Sequence, residues 1–448
     1  MRKKSIAQRS IFDVFAEHEL GRELKLMSDW LDEHPEVLEG VAADLGRDRV
    51  KPTGRRGLSV ETVLRCALLK QRRQLSYEEL AFCLEDSRSF QAFARLEPAC
   101  RPRKSVLQAC IGRIRAESWE RINRTLLVSA QAEKVERGRK VRVDSTVTET
   151  DIHPPTDSSL LWDGVRVLVR LLKWAQALAG DTRLTWHDHG RAAKKYDRQI
   201  QYGRGRQSQD KRYRKLLKVA RATLDYLHEA QLRLEALAVE AQDLADWQGE
   251  AVRYGVLLAR VIDQTERRVL KGETVPASEK VFSLFEAHTD IIIKGGREIQ
   301  YGHKLNLTTG VSGLVLDVLI EPGNPADSER FMPLLERQIA CYGRAPRQVA
   351  ADGGYASQAN VRHAKALGVK DVAFRKKKGL RVEQMAKSLW VYRRLCDFRA
   401  GIEAGISCLK RAYGLTRCTW KGLSHFRAYV WSAVVAHNLA VFTRQRPT

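Results

Sequence analysis

The feature that most constrains this chain is a change of periodicity near residue 139. Lys140-Val141-Arg142-Val143-Asp144-Ser145-Thr146-Val147-Thr148 alternates apolar and polar positions over β-branched residues, the pattern of a strand with one buried face. Before it, residues 10 to about 135 have helical spacing throughout. Strand signals return only at Asp290-Ile291-Ile292-Ile293, at Lys304 to Thr309 and at Val315 to Ile320, and Gly310-Val311-Ser312-Gly313 suits a hairpin turn between the last two. A helix over Ser328 to Ala340 leads into a strand closing on Ala351-Asp352-Gly353-Gly354-Tyr355. A second helix, Ser357 to Leu367, and a short strand, Asp371 to Phe374, follow. After Arg375-Lys376-Lys377-Lys378 the chain reads as helical to near residue 448. Strand, hairpin, helix, strand, helix, strand, helix predicts an α/β core on a mixed sheet, with a helical N-terminal domain and a helical insertion after the first strand. No repeat of about 20–50 residues is present, which excludes a solenoid.

In the helical block, Ile11, Phe15, Leu20, Leu24, Met27 and Leu31 mark one amphipathic stretch. Val60, Val63, Leu64, Ala67 and Leu68 mark another, opened by Ser59. Ser76-x-x-Glu79 has the form of a capping box before Leu80, Ala81, Phe82 and Leu84. Helix, polar break, capped helix fits a helix-turn-helix unit with Arg65, Lys70, Arg72 and Arg73 near phosphates; it fits a plain helical bundle equally. Residues 159–178 and 214–247 are apolar at helical spacing. Between them, residues 191–218 hold 11 Lys or Arg against 2 Asp, expected as a solvated loop or helix end able to touch phosphates. The expected organisation is a DNA-binding or dimerisation domain over 1–135, the first part of the core over 136–157, an insertion over 158–285, and the rest of the core with basic helices over 286–448.

Charge narrows the partners. The 448 residues carry 78 Lys and Arg against 54 Asp and Glu, a surplus of 24 positive charges, and a chain this basic points first to nucleic acid and second to an anionic membrane. A merely basic, ribosomal-type protein is the plain alternative. No run of about 18 apolar residues occurs, and the polar opening MRKKSIAQRS lacks a signal-like hydrophobic stretch, so a cytoplasmic protein without a membrane span is expected. Eight cysteines without C-x-x-C spacing read as small buried hydrophobes, not as a zinc site or disulfide framework. His187-Asp188-His189 reads as surface.

Asp144 inside one strand and Asp352 at the end of another sit beside apolar residues, where a carboxylate is costly unless something pairs with it. A hard divalent cation, Mg²⁺ or Mn²⁺, would do so, and carboxylates at the strand ends of an α/β sheet suit metal-assisted phosphoryl transfer. The third candidate, Glu403, shares a helix face with Arg399 and Lys410 at i, i+4 and i+11 relative to Arg399. An exposed helix with an ordinary Arg–Glu pair would look the same.

Taken together, these motifs resemble an insertion-sequence transposase of the DDE, ribonuclease-H-like superfamily. The most specific part is R-x3-E-x6-K, met by Arg399, Glu403 and Lys410. In the group that bears it a Tyr precedes, as Y-x2-R-x3-E-x6-K; here that position is Cys396, with Tyr392 and Phe398 as neighbouring rings. Asp144-Ser145-Thr146, Asp352-Gly353-Gly354-Tyr355 and Gly323-Asn324-Pro325-Ala326-Asp327 add further matches. The resemblance implies a ribonuclease-H-like core in which Asp144, Asp352 and Glu403 hold two divalent ions that activate water and then a 3′-hydroxyl for attack on phosphodiesters. It implies that Arg399, Lys410 and Arg411 grip phosphates, with double-stranded DNA (transposon-end inverted repeats and target) as partner and a homodimer that synapses two ends. The rivals are a metal-dependent nuclease without strand transfer and a non-catalytic DNA-binding regulator. Trp162, Trp390 and Trp420 are expected in the core in preference to stacking on a flipped base.

Overall fold

The alternation at 140–148 forms strand β1 (Lys140–Thr150). The computed structural model describes residue 4 and residues 15–46, 57–97, 99–180, 184–237, 241–294, 298–375 and 379–446. Ile11 and Lys376 to Lys378 lie outside the described residues. The chain divides into two units, residues 1–150 with 303–448, and residues 151–302.

Among the described residues, seven α-helices precede β1 in the first unit: α1 (Glu19–Glu33), α2 (Leu38–Gly46), α3 (Val60–Arg73), α4 (Tyr77–Asp86), α5 (Arg88–Ala94), α6 (Lys104–Ile111) and α7 (Ala116–Ala132). Ser59 Oγ accepts the Thr62 amide at the start of α3, and Gln74 ends that helix in the left-handed region (φ 52°). The Ser76/Glu79 capping box opens α4 with both reciprocal hydrogen bonds in place.

The second unit begins with α8 (Asp157–Ala179), α9 (Gly190–Tyr202), α10 (Arg206–Glu235) and α11 (Ala241–Thr265). These pack on one another around Leu161, Leu168, Leu217, Trp247 and Leu258. Two expectations change here. The basic run at 191–218 is helix on both sides of a break at residues 203–205, because Ala193, Ile200, Leu216 and Leu217 turn an apolar stripe inward. The single helix expected over 214–247 is two, α10 ending at Glu235 and α11 beginning at Ala241. Strand β2 (Asp290–Lys294) pairs antiparallel with residues 298–302, which open β3 (Glu298–Thr309).

β3 continues into the first unit and pairs antiparallel with β4 (Val315–Ile320) across the expected turn, where Gly310 N–H bonds the Leu314 carbonyl and Gly313 has φ 86°. The remaining elements are α12 (Asp327–Tyr342), β5 (Gln348–Ala351), α13 (Gln358–Ala366), β6 (Asp371–Phe374), α14 (Val382–Met385), α15 (Leu389–Ala412), β7 (Arg417–Cys418) and α16 (Leu423–Gln445). Hydrogen-bonded neighbours follow the order β3, β1, β5, β6, with β4 on the outer side of β3 and β7 against the end of β1. β1, β5 and β6 are mutually parallel.

One apolar core serves this unit. It joins Leu24, Leu64 and Trp119 of the N-terminal helices to Val143, Leu307 and Val349 of the sheet and to Val434 and Leu439 of α16. α16 is apolar nearly all round from Ala428 to Ala440 and is buried accordingly, packed on α7, α3, α1 and β4. Among the described residues, no helix is long and apolar enough to cross a membrane.

Candidate active site

Strand register brings the two aspartates together. β1 and β5 pair with Val143 opposite Ala351, so Asp144 and Asp352, each one residue further on, stand abreast at the end of β5. Residues 208 positions apart in sequence thereby share the carboxyl end of a parallel strand pair, the usual place for a site in an α/β sheet. Asp352 precedes the 3-10 turn Gly353–Tyr355.

The third carboxylate arrives on α15, which lies across β1, β5 and β6. Arg142 of β1 fixes its height: Nη1 donates to the Phe398 carbonyl at 2.9 Å, Nε to Thr309 Oγ1 at 2.9 Å, and the guanidinium stacks on the Phe398 ring at 4.8 Å. A Cβ at Gly401 would meet that guanidinium, whose terminal nitrogen would have to shift to admit a side chain there. At the other end Tyr392 Oη donates to the Phe374 carbonyl at 2.8 Å. These anchors occupy the rings nearest Cys396, since Phe398 lies under Lys140 and Arg142, and Tyr392 is buried against β6.

Arg399 stands where the carboxylates meet. Nη2 donates to Asp144 Oδ2 at 2.6 Å and lies 3.5 Å from Asp352 Oδ1, while Nη1 donates to Glu403 Oε1 at 2.6 Å. Its side chain is 6% exposed, against 13% for Asp144, 41% for Asp352 and 58% for Glu403. Arg375, just past β6, reaches Glu403 from outside at 3.4 Å. The sequence-predicted Asp144, Asp352, Glu403 and Arg399 therefore form one cluster. Lys410 and exposed Arg411 lie further along α15.

A polar layer that the sequence reading missed supports the turn after Asp352. Tyr355 Oη donates to Asn306 Oδ1 at 2.5 Å, and Asn306 Nδ2 donates to Glu321 Oε1 at 2.8 Å. Lys304 Nζ pairs with Asp327 at 2.6 Å and donates to the Pro325 carbonyl at 2.7 Å, which folds Gly323–Asp327 back onto β3. A Cβ on Gly354 would lie 2.6 Å from Asp327 Oδ2. Burial, then the Asp327 and Asp144 carboxylates, push the Tyr355 phenol well above its usual range and keep it a donor. The signal in sequence was slight: polar residues in Lys304-Leu305-Asn306-Leu307 mimic an exposed strand face.

The N-terminal arginines divide. Arg72, expected on DNA, is instead held by Glu23, with Nε 2.5 Å and Nη2 3.1 Å from its carboxylate, and lies over the Tyr413 ring at 5.4 Å. Arg65 is buried against Asp32, Glu61 and Ser28. Lys70 is buried over Tyr77 and Trp420, and desolvation lowers its ammonium to about 8. Arg73 remains exposed. Gln74, next in line, donates to the Arg411 carbonyl, so the end of α3 adjoins the end of α15. Of the tryptophans, Trp162 and Trp420 are partly buried. Trp390 is exposed beneath Arg394, against the expectation of a core position. His187, Asp188 and His189 are accounted for locally: His189 stacks on Tyr226 at 5.9 Å and Asp188 pairs with Lys173 at 3.3 Å.

Residues 257–439 match the family model described as the transposase DDE domain. That segment is similar to transposase DDE domains, which supports an insertion-sequence DDE transposase. It contains Asp352, Arg399, Glu403 and Lys410, while Asp144 lies before it. The mixed sheet is compatible with the ribonuclease-H-like core of such domains. No curated protein and no solved structure matches the chain.

DDE transposase domains generally use divalent metal ions. The donor chemistry fits, since the three acidic side chains already surround a cation, the guanidinium of Arg399. With that guanidinium between them, no three His, Cys, Asp or Glu side chains among the described residues converge on one ion position.

Proposed function

We propose that the chain is a DNA transposase that cuts at transposon ends and joins them to target DNA, with Asp144, Asp352 and Glu403 holding divalent metal. One observation carries this reading: three acidic side chains from separate elements converge on one cation at a strand end, two of them inside the matched domain. When bound, two Mg²⁺ or Mn²⁺ ions would lower the barrier to attack by water or a 3′-hydroxyl and stabilise the leaving oxygen. The residues of the chain do the rest. Asp144 and Asp352 offer hard oxygen donors side by side, and Glu403 closes the set from α15. Lys410, Arg411 and Arg73, on adjoining helix ends, serve phosphates of the bound duplex. The basic helices α9 and α10 extend that service to a second stretch of DNA. A homodimer in the cytoplasm, each copy holding one end, is part of the same reading.

Asp352→Ala is expected to abolish Mg²⁺-dependent cleavage of an end-bearing duplex while binding of that duplex survives. Undiminished cleavage would overturn the assignment. Terminal inverted repeats beside the gene would supply that duplex, and their absence would favour a nuclease or a regulator. Cleaved ends that never appear joined to target DNA would favour the nuclease alternative.

A further inference from the structure

We infer that Arg399 is a resident counter-cation of the carboxylate cluster, and that its guanidinium must leave for metal to enter, so that a DNA phosphate able to receive it promotes metal binding. The inference rests on the metal-holding role proposed for Asp144, Asp352 and Glu403.

The geometry is specific. The two terminal nitrogens of one guanidinium span the set, Nη2 on Asp144 and Asp352 and Nη1 on Glu403, all within 3.5 Å. A planar fork with fixed donor directions makes such a bridge where a point charge would not. An ion and the guanidinium compete for the same lone pairs, because Asp144 Oδ2 and Glu403 Oε1 each bond Arg399 at 2.6 Å. The Arg399 side chain is buried and points at the acids, so in this arrangement it cannot also reach a backbone phosphate. Its Nε–H is buried without a hydrogen-bond partner, which leaves the arrangement short of full satisfaction.

Charge favours the exchange. Three carboxylates, two divalent ions and one phosphodiester already balance without Arg399. Once metal is in place, its positive charge is surplus beside two ions, and a bidentate phosphate is a better partner for it. Asp352 and Glu403 are open enough to reorient toward an ion, whereas Asp144 is nearly covered, its Oδ2 bonded by the guanidinium and its Oδ1 accepting the Ser145 amide. Removing the guanidinium therefore exposes the acid least able to meet an ion otherwise.

The test is Mn²⁺ binding by the purified full chain, read by electron paramagnetic resonance without DNA. A short non-specific duplex is then added, and ions held by the duplex alone are subtracted. Arg399→Gln is expected to bind Mn²⁺ about tenfold more tightly than the natural chain in the absence of DNA. The duplex is expected to tighten Mn²⁺ binding to the natural chain and to change the variant little, since linkage through Arg399 is gone. Arg399→Lys keeps a cation without the fork and is expected to fall between the two, which secures the test if the Gln variant folds poorly. Affinity equal to or below that of the natural chain in these variants would overturn the inference. Asp352→Ala separates this from the wider reading. If it weakens Mn²⁺ binding while Arg399→Gln does not tighten it, only the counter-cation role fails. If Asp352→Ala leaves Mn²⁺ binding unchanged, the metal-holding assignment fails too.

Discussion

Gly354 is held to glycine by a neighbour and not by its backbone. Its φ is ordinary, but the Asp327 carboxylate, pinned by Lys304 at 2.6 Å, fills the space a side chain would take. Gly354→Ala is therefore expected to cost about 1–3 kcal/mol and to push the turn that carries Asp352. Asp327→Ala alone loses the Lys304 pair. The double variant should cost less than the sum of the two, because the second change makes room for the first. Additive losses in a denaturation cycle would remove the clash as the cause. This contact also marks the limit of legibility at the residue scale. Asp144 and Asp352 could be picked as candidates because an acid in apolar company stands out locally, whereas Glu403 stood out only through the R-x3-E-x6-K resemblance. Asn306, Lys304 and Glu321 could not, because a polar residue in an alternating strand looks solvated until its partners, supplied by distant segments, are known.

At the scale of elements, α16 is the least anticipated part of the fold. Its helicity was legible; its position at the centre of the first unit was not, because an apolar run does not say which neighbours cover it. The polar residues inside it report that position. Asn438 Oδ1 accepts the Val315 amide at 2.8 Å, and its Nδ2 donates to the Val315 carbonyl and to Asn123, both at 2.7 Å, tying α16 to β4 and α7. His437 beside it is fully enclosed, edge-on to Tyr413, and burial lowers its imidazole to about 4 from 6.5. Between about pH 6.5 and 4 the unfolded chain thus takes up a proton that the folded chain refuses. This contribution to stability is complete above pH 6.5 and is lost as pH falls, by on the order of 3 kcal/mol at pH 4. Chemical denaturation from pH 7 to 4 should show a steeper acid loss for the natural chain than for His437→Gln. Parallel curves would mean that His437 charges freely in the folded state. Elsewhere periodicity located β1, β2, β4, β5 and β6 to within a few residues, but it began β3 at Lys304 where the strand starts at Glu298. It missed the two-residue β7, too short to leave a pattern, and merged α10 with α11, whose apolar faces continue in phase across the break.

For the whole molecule, the charge surplus was visible from the start, and its distribution decides what it does. Residues 371–448 carry a net of 12 positive charges and 191–218 a net of 9, most of the 24 in excess. The sequence could not tell which cations face outward. Arg72 and Arg73 are adjacent on α3, yet Glu23 and Tyr413 claim the first while the second is exposed. That difference gives opposite expectations for one measurement, the slope of log binding constant against log salt for duplex DNA. Each phosphate contact adds about 0.9 to the magnitude of that slope. Arg73→Ala and Arg411→Ala should each lower it by about that amount and leave thermal stability near its original value. Arg72→Ala should leave the slope unchanged and lower the melting temperature instead, because it strands the buried Glu23 carboxylate at the α1–α3 contact. If Arg72→Ala flattens the salt dependence while Arg73→Ala does not, the duplex follows a different path across the first unit, and the adjoining ends of α3 and α15 are not part of it.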